Sequence, residues 1–316
     1  MMKKKTFIQK VIREFPAYLP EDLREGIRIR ETTATKMNDR RYHGIILERE
    51  GQRAAPMIYL DEMYEQYRKG DPFDALMYEL AAVYVRGERM DKDHLMYPPE
   101  NPDGTVTLIA LRLLSIDRNR DYLKEGPYWE VGNGLALTCD IRAWDEVTGE
   151  WRMRITHEWM KTMGLKREEL FRDAMYSCPL GNPVTLYELE SRCSAPDPVD
   201  FLEFPDPLPL PPELRTRPFV LSTRYYKLGA AGLFYPRTME RLADLFDGNY
   251  YVVPTSVHEV LIIPDDAGMP AEKLEELLQY SNRSVVEPED ILSEDLYHYD
   301  RISGELSIAE VLEPAS

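Results

Sequence analysis

Between Pro196 and Pro218 the chain places eight prolines in 23 residues, among them Pro205, Pro207, Pro209, Pro211 and Pro212. Proline fixes φ and removes a backbone donor, so the segment is extended and stiff. It reads as an interdomain connector, with a polyproline ligand for an aromatic groove as the alternative. A chain of 316 residues is long enough for one large domain or two to three small ones. The expected division is an N-terminal β-hairpin and helix lobe over residues 1–90, a middle α+β lobe over 91–195, the Pro-rich connector over 196–218, and a C-terminal α+β lobe over 219–316.

Hydrophobic periodicity supplies the elements. The first residues resemble a signal peptide in their three lysines, but Gln9, Lys10, Arg13 and Glu14 break the apolar region a leader needs. An amphipathic helix with Phe7, Ile8, Val11, Ile12 and Phe15 inward fits better. Strands are expected over Gly26–Thr33, Tyr42–Glu48 and Pro56–Leu60, then a helix carrying Met63, Tyr64 and Tyr67. Asp71-Pro72 opens a helix with Phe73, Leu76, Met77, Leu80, Ala81 and Tyr84 on one face. A polar loop over 91–104 leads to a strand over Thr105–Leu114 and a helical stretch over Asp117–Leu123. Trp129–Arg142 and Trp151–Ile155 read as one hairpin around Asp145–Gly149. Thr156 caps a helix that Gly164 ends, and a second helix carries Leu170, Phe171, Ala174 and Met175. With the overall charge this helix pair is a packing motif and not a DNA reader.

In the last hundred residues the expected order is β-β-α-β-β-α-β. Strands fall at Phe219–Thr223, Ala230–Phe234, Tyr250–Val253, Val257–Ile263 and Tyr297–Tyr299, with helices opened by Pro236 and Met269-Pro270. The fold class is therefore α+β, with antiparallel or mixed sheets and helices packed on one face.

The net charge is −17, from 56 acidic and 39 basic side chains. That argues against direct nucleic-acid binding, which needs concentrated Lys and Arg. The charge is uneven: residues 1–50 carry 12 basic and 8 acidic groups, a net of +4, and residues 217–316 carry 8 and 18, a net of −10. Solubility explains this, as does an acidic face for a basic partner. Cys139, Cys178 and Cys193 form no CxxC or Cys–His cluster, so neither a zinc site nor a disulfide framework is expected, and free thiols fit a cytoplasmic location. No apolar run approaches the roughly 18 residues of a membrane span.

The candidate chemistry lies in Pro254–Pro264. As a strand it would put Ser256, His258, Val260 and Ile262 on one face and Val257, Glu259, Leu261 and Ile263 on the other. Both faces are largely apolar, so the strand should be central, with His258 or Glu259 partly buried. A buried carboxylate needs a fixed partner, so Glu259 is expected to have one. The structural reading is a polar anchor; the functional one is a catalytic or ligand-binding pair. Ser256, His258 and a carboxylate are the ingredients of a hydrolase triad, but no G-x-S-x-G elbow surrounds the serine. His157-Glu158 would begin a zincin helix, but Lys161 stands where the second histidine belongs. Lys227–Gly232 lacks phosphate-loop spacing, and tight strand packing explains its glycines. Asp265-Asp266 and Glu287–Asp295 lack calcium-loop spacing and read as solvated acidic loops. No cofactor fingerprint or metal site is expected.

Three stretches carry a resemblance. They are Ala54–Leu60 with Tyr64-Glu65-Gln66-Tyr67; Arg112-Leu113-Leu114 through Asn119 and Leu123–Pro127; and Pro254–Pro264 with Leu296-Tyr297-His298-Tyr299. In this order they resemble the uncharacterised clostridial domain-of-unknown-function family 5688 over roughly residues 5–300. Family members usually have serine where this chain has Thr255. The resemblance implies a bacterial, cytoplasmic protein and no particular catalysis.

The expectation for function is a non-enzymatic protein that binds another macromolecule, most directly a protein, through its acidic C-terminal lobe. The alternatives are a hydrolase or transferase centred on Ser256, His258 and Glu259, and an acidic nucleic-acid mimic that blocks a DNA-binding enzyme.

Overall fold

A computed structural model describes residues 2–49, 57–89, 109–145, 149–189, 199–200, 209–223 and 226–310. Most of the Pro-rich segment and Cys193 lie outside the described residues. The chain forms two compact units, Met1–Tyr97 and Pro98–Ser316.

In the first unit, β1 (Arg28–Thr35) and β2 (Arg41–Glu48) form the expected hairpin, pairing Arg28 with Glu48 through Thr35 with Arg41. Asn38 and Asp39 take left-handed backbone at its tip, a conformation their short polar side chains tolerate. β3 (Met57–Tyr59) adds to β2. Helices Lys4–Glu14, Asp61–Lys69 and Phe73–Arg89 supply the apolar stripes read from the sequence. Phe7, Val11, Phe15, Ile45, Leu47, Leu60, Met77, Leu80 and Tyr84 are buried in one core. Phe7 is its centre, in ring contact with Tyr64, Tyr67 and Phe73.

The second unit contains two antiparallel sheets. The smaller one is built from β4 (Ile109–Ser115), β5 (Tyr128–Gly132), β6 (Leu135–Asp145) and β7 (Gly149–Arg154), all paired on β6. The single hairpin expected from Trp129 to Ile155 is in fact two. Asn133 (φ 52°) and Gly134 (φ 72°) close a tight turn between β5 and β6, a two-residue pair that type I′ hairpins favour. One face of this sheet packs on the helix Arg167–Gly181, with Trp129 and Phe171 rings 5.9 Å apart. The preceding helix, His157–Met163, ends as expected. The Thr156 hydroxyl accepts the Trp159 amide at its start, and Gly164 stops it with φ 67°.

The larger sheet has the order β14-β13-β11-β12-β10-β8-β9, where β8 is Val184–Glu188, β9 Val199–Asp200, β10 Phe219–Thr223, β11 Tyr250–Ser256, β12 Glu259–Pro264, β13 Tyr297–Asp300 and β14 Glu305–Ile308. Strands from both sides of the Pro-rich segment meet in it, since β8 pairs with β10. β12 is the middle strand, as its two apolar faces require. For the same reason helices cover both faces of this sheet, not one. Leu274 and Leu278 of the helix Ala271–Ser284 pack with Val220, Val253 and Leu261, while Phe246 of the helix Thr238–Phe246 meets Phe219 and Tyr250 on the opposite face.

Two sequence expectations are corrected in this sheet. Ala230–Phe234 is not a strand: Gly229–Phe234 is a 3-10 turn wedged against the sheet. A Cβ on Gly229 would stand 2.5 Å from Ser222 Cα and 2.6 Å from the His258 carbonyl oxygen, so only glycine permits the approach. Pro254-Thr255-Ser256 is not the connection between two strands either. β11 runs on to Ser256 past a register shift after Val253, and the turn falls at Val257-His258. Pro254 has no N–H for the ladder and is accommodated where the register shifts.

Candidate functional site

Ser256, His258 and Glu259 come together in the β11–β12 turn, not along one strand. The Ser256 hydroxyl accepts from the backbone amides of His258 (3.1 Å) and Glu259 (3.3 Å), the local side-chain bond typical of serine in turns. Thr255 Oγ1 donates to the Glu259 carbonyl at 3.2 Å. The His258 carbonyl accepts from Gly229 N (2.9 Å) and Ser222 Oγ (2.8 Å), and Val257 N donates to the Asp290 carbonyl at 2.9 Å. The turn is thus fastened to Ser222, to Gly229 and to Asp290.

The His258 ring is half-buried, and both of its nitrogens are engaged. Nδ1 accepts the Leu228 amide at 3.2 Å. That bond assigns the proton to Nε2, which lies 3.4 Å from Asp290 Oδ2. The hydrogen bond from His258 holds the Asp290 carboxyl below its ordinary value, against the opposing effect of burial, and the field of Arg112 adds to it. Glu259 is half-buried at the first position of β12, as is His258 in the turn before it, so both are partly buried.

Among the described residues the most buried ion pair is that of Arg112 and Asp140. Arg112 of β4 and Asp140 of β6 project from the same sheet face, in diagonal register across Ala110↔Asp140 and Arg112↔Thr138. Their side chains are 13% and 3% exposed and form a close ion pair. Burial works against the charge on Arg112, but the field and hydrogen bond of Asp140 outweigh it and hold the guanidinium above its ordinary value. Arg154, opposite Asp140 on β7, lays its guanidinium 3.4 Å from the Tyr122 ring centroid and bonds Glu125 at 3.0 Å. One face of the small sheet therefore carries a charged layer, and His258–Asp290 sits within its electrostatic reach.

Sequence reasoning missed Arg112, Asp140 and Asp290. The first two had a readable signal: Arg112 is the one charge of β4, and Asp140 stands between the apolar Cys139 and Ile141. Asp290 was submerged in the acidic run Glu287–Asp295, which is not wholly solvated, because Ile291, Leu292 and Ser293 are buried.

The family model described as "Family of unknown function" matches residues 4–301. The chain belongs to the DUF5688 family. No curated protein and no solved structure matches this DUF5688 chain. Among the described residues no group of three or more His, Cys, Asp or Glu could hold a metal ion, and no helix is long and apolar enough to cross a membrane.

The surface of the C-terminal part is strongly acidic. From Glu259 to Asp300 the chain has 12 carboxylates and 2 cations, Lys273 and Arg283. Asp266, Glu272, Glu276, Glu287 and Asp295 are exposed and, among the described residues, form no ion pair. Glu272, Glu276 and the 63%-exposed Tyr280 follow one another at four-residue spacing along one side of the Ala271–Ser284 helix.

Proposed function

We propose that this chain is a non-enzymatic protein that binds a basic macromolecular partner, most directly another protein, through the acidic face around the Ala271–Ser284 helix. The observation that carries the reading is the line of uncompensated exposed carboxylates, with Tyr280 among them. Like charges at this density oppose the compact state, and a cationic partner relieves them. Tyr280 adds what charge alone lacks, a rigid amphipathic contact of the kind enriched in interfaces. A DNA-binding enzyme is the case in which the protein would act as a nucleic-acid mimic.

The hydrolase or transferase reading has less support. A serine nucleophile needs a base with a free lone pair, and the His258 lone pair is held by Leu228 N–H while its Nε2 faces Asp290. Ser256 Oγ is committed to two backbone amides. The geometry suits a strut that fixes the turn.

The test is recovery of a partner from host extract with the tagged full chain. It is run beside the variant Glu272→Gln/Glu276→Gln/Glu287→Gln/Asp295→Asn and a control carrying four neutralised carboxylates in the Met1–Tyr97 unit. The reading expects loss of the partner with the first variant only. Retention by that variant would refute it.

A further inference from the structure

We propose that Ser307, placed beside the His298–Asp265 pair at the edge of the large sheet, is a nucleophile that accepts an acyl group from an uncharged or cationic activated ester. The register of three strands brings the parts together. β11, β13 and β14 align Tyr251 with His298 and His298 with Ser307, so the three side chains form a row on one sheet face. Asp265 reaches that row from the 3-10 turn Asp265–Ala267, and both of its carboxylate oxygens lie 3.2 Å from His298 Nε2. A carboxylate only accepts, which assigns the ring proton to Nε2 and leaves the lone pair on Nδ1. Among the described residues neither Nδ1 nor the Ser307 hydroxyl has a hydrogen-bond partner. This is the requirement that His258 fails, because its lone pair is held by the Leu228 amide.

The reach of each side chain suits its role. Directly opposite residues of an antiparallel pair have Cβ atoms about 4.5–5.5 Å apart. Across that gap the short serine arm, turned inward about χ1, meets the ring nitrogen nearer the backbone, which is Nδ1. The farther nitrogen is the one Asp265 holds. The Tyr251 ring lies 4.7 Å from the imidazole on its other side and is itself packed on the core that Leu274 and Leu278 share, so the imidazole is braced. Ser307 is exposed and the His298 side chain is 24% exposed, so an ester in solution reaches both. In the step, the Ser307 oxygen attacks the acyl carbon while its proton passes to Nδ1. The bond from that carbon to the leaving oxygen or sulfur breaks, and the leaving group departs with the electron pair. The imidazolium, steadied by Asp265, then gives its proton to water, and the acyl group stays on Ser307 as an ester. Asp300 and Glu305 come next on the same face of β13 and β14, so the site repels an anionic donor. The face is open to water, so the donor is one whose leaving group departs without a proton. One acyl group per chain is a modification and not a turnover, and the inference does not rest on the partner-binding reading.

The experiment treats the full chain with p-nitrophenyl acetate and follows nitrophenolate release together with peptide mapping of the acetylated residue. One fast equivalent of nitrophenolate per chain is expected, with the acetyl group on Ser307, and Ser307→Ala, at an exposed position that leaves the fold intact, should remove both. His298→Gln should slow the acetylation about a hundredfold. Asp265 is a positioning residue, so Asp265→Asn should slow it about tenfold and Asp265→Glu should recover part of the loss. An ester of the same phenol carrying a succinyl carboxylate should react at least about threefold more slowly than the acetate. Ser307→Cys is the companion variant: its thiol should take the acetyl group at the same position and lose its speed when His298→Gln is added. Acetylation spread over lysines with none on Ser307, a rate unchanged in His298→Gln, or a fast equivalent that survives in Ser307→Ala would overturn the proposal.

Discussion

Replacing Asp140 by Leu, Arg112 by Met, and both together forms a cycle that tests whether the charged layer of the small sheet is a structural unit. The Asp140 side chain is 3% exposed and that of Arg112 13%, so removing one partner leaves the other charge largely shielded from water without its closest counter-charge. Loss of one member of such a pair costs about 3–5 kcal/mol, most of it the desolvation of the survivor. Removing both replaces the pair by apolar groups of similar length and is expected to fall within about 1 kcal/mol of the parent, or to be more stable. Two single losses of at least about 3 kcal/mol, set against a double within about 1 kcal/mol of the parent, give a coupling term of at least about 5 kcal/mol. The assay is urea unfolding followed by tryptophan fluorescence. All four tryptophans, Trp129, Trp144, Trp151 and Trp159, lie in the Pro98–Ser316 unit, so the signal follows the unit that holds the pair. Single replacements that each cost under about 1 kcal/mol and simply add would refute the reasoning, because they would mean that water reaches the pair.

The β11–β12 turn gives two further outcomes in the same assay. Gly229→Ala forces a Cβ against the Ser222 backbone and the His258 carbonyl and should destabilise by about 2–3 kcal/mol; Ser256→Ala leaves two amides without their acceptor and should cost about 1–2 kcal/mol. Because the folded-state pKa of Asp290 is depressed, its contribution is present above the unfolded value and lost as pH falls through the folded one. The stability gap between parent and Asp290→Asn should therefore be full at pH 7 and close below about pH 3.8, as read by urea midpoints across pH. Cys139 is buried, which pushes its thiol pKa well up, and Cys178 is buried and donates to the Ile109 carbonyl at 3.2 Å. Neither should react with a thiol reagent until the chain unfolds, as peptide mapping of labelled cysteines would show.

The sequence was most legible where one period ran unbroken. The Phe7–Phe15 stripe, the β1–β2 hairpin, the Thr156 cap and Gly164 stop, and the centrality of β12 all follow from local patterns that the packing reinforces. Legibility failed where a tertiary contact decided the backbone. Gly229–Phe234 has strand-like composition but is coiled, because the glycines let it press onto Ser222 and Val184. The turn at Val257-His258 is set by hydrogen bonds to the Ser256 hydroxyl and the Asp290 carbonyl and from the Gly229 amide, of which only the first is local. β8 follows the turn residues Gly181-Asn182-Pro183 but is short, and it enters the sheet through its pairing with β10 across the Pro-rich segment. The site was half legible: Ser256, His258 and Glu259 do cluster, but the partner of His258 comes from Asp290, 32 positions on and hidden in an acidic run.

The most direct test of the account measures the affinity of a recovered basic partner for the full chain at low and at moderately high salt. Exposed charges separated by more than about 10 Å are screened at 0.1 M ionic strength, so attraction to Glu272, Glu276, Glu287 and Asp295 should weaken on the order of tenfold or more between 50 and 300 mM salt. The quadruply neutralised variant should show little such slope. A complex whose affinity ignores salt, or whose salt slope survives the neutralisation, would place the partner elsewhere on the molecule and contradict the account.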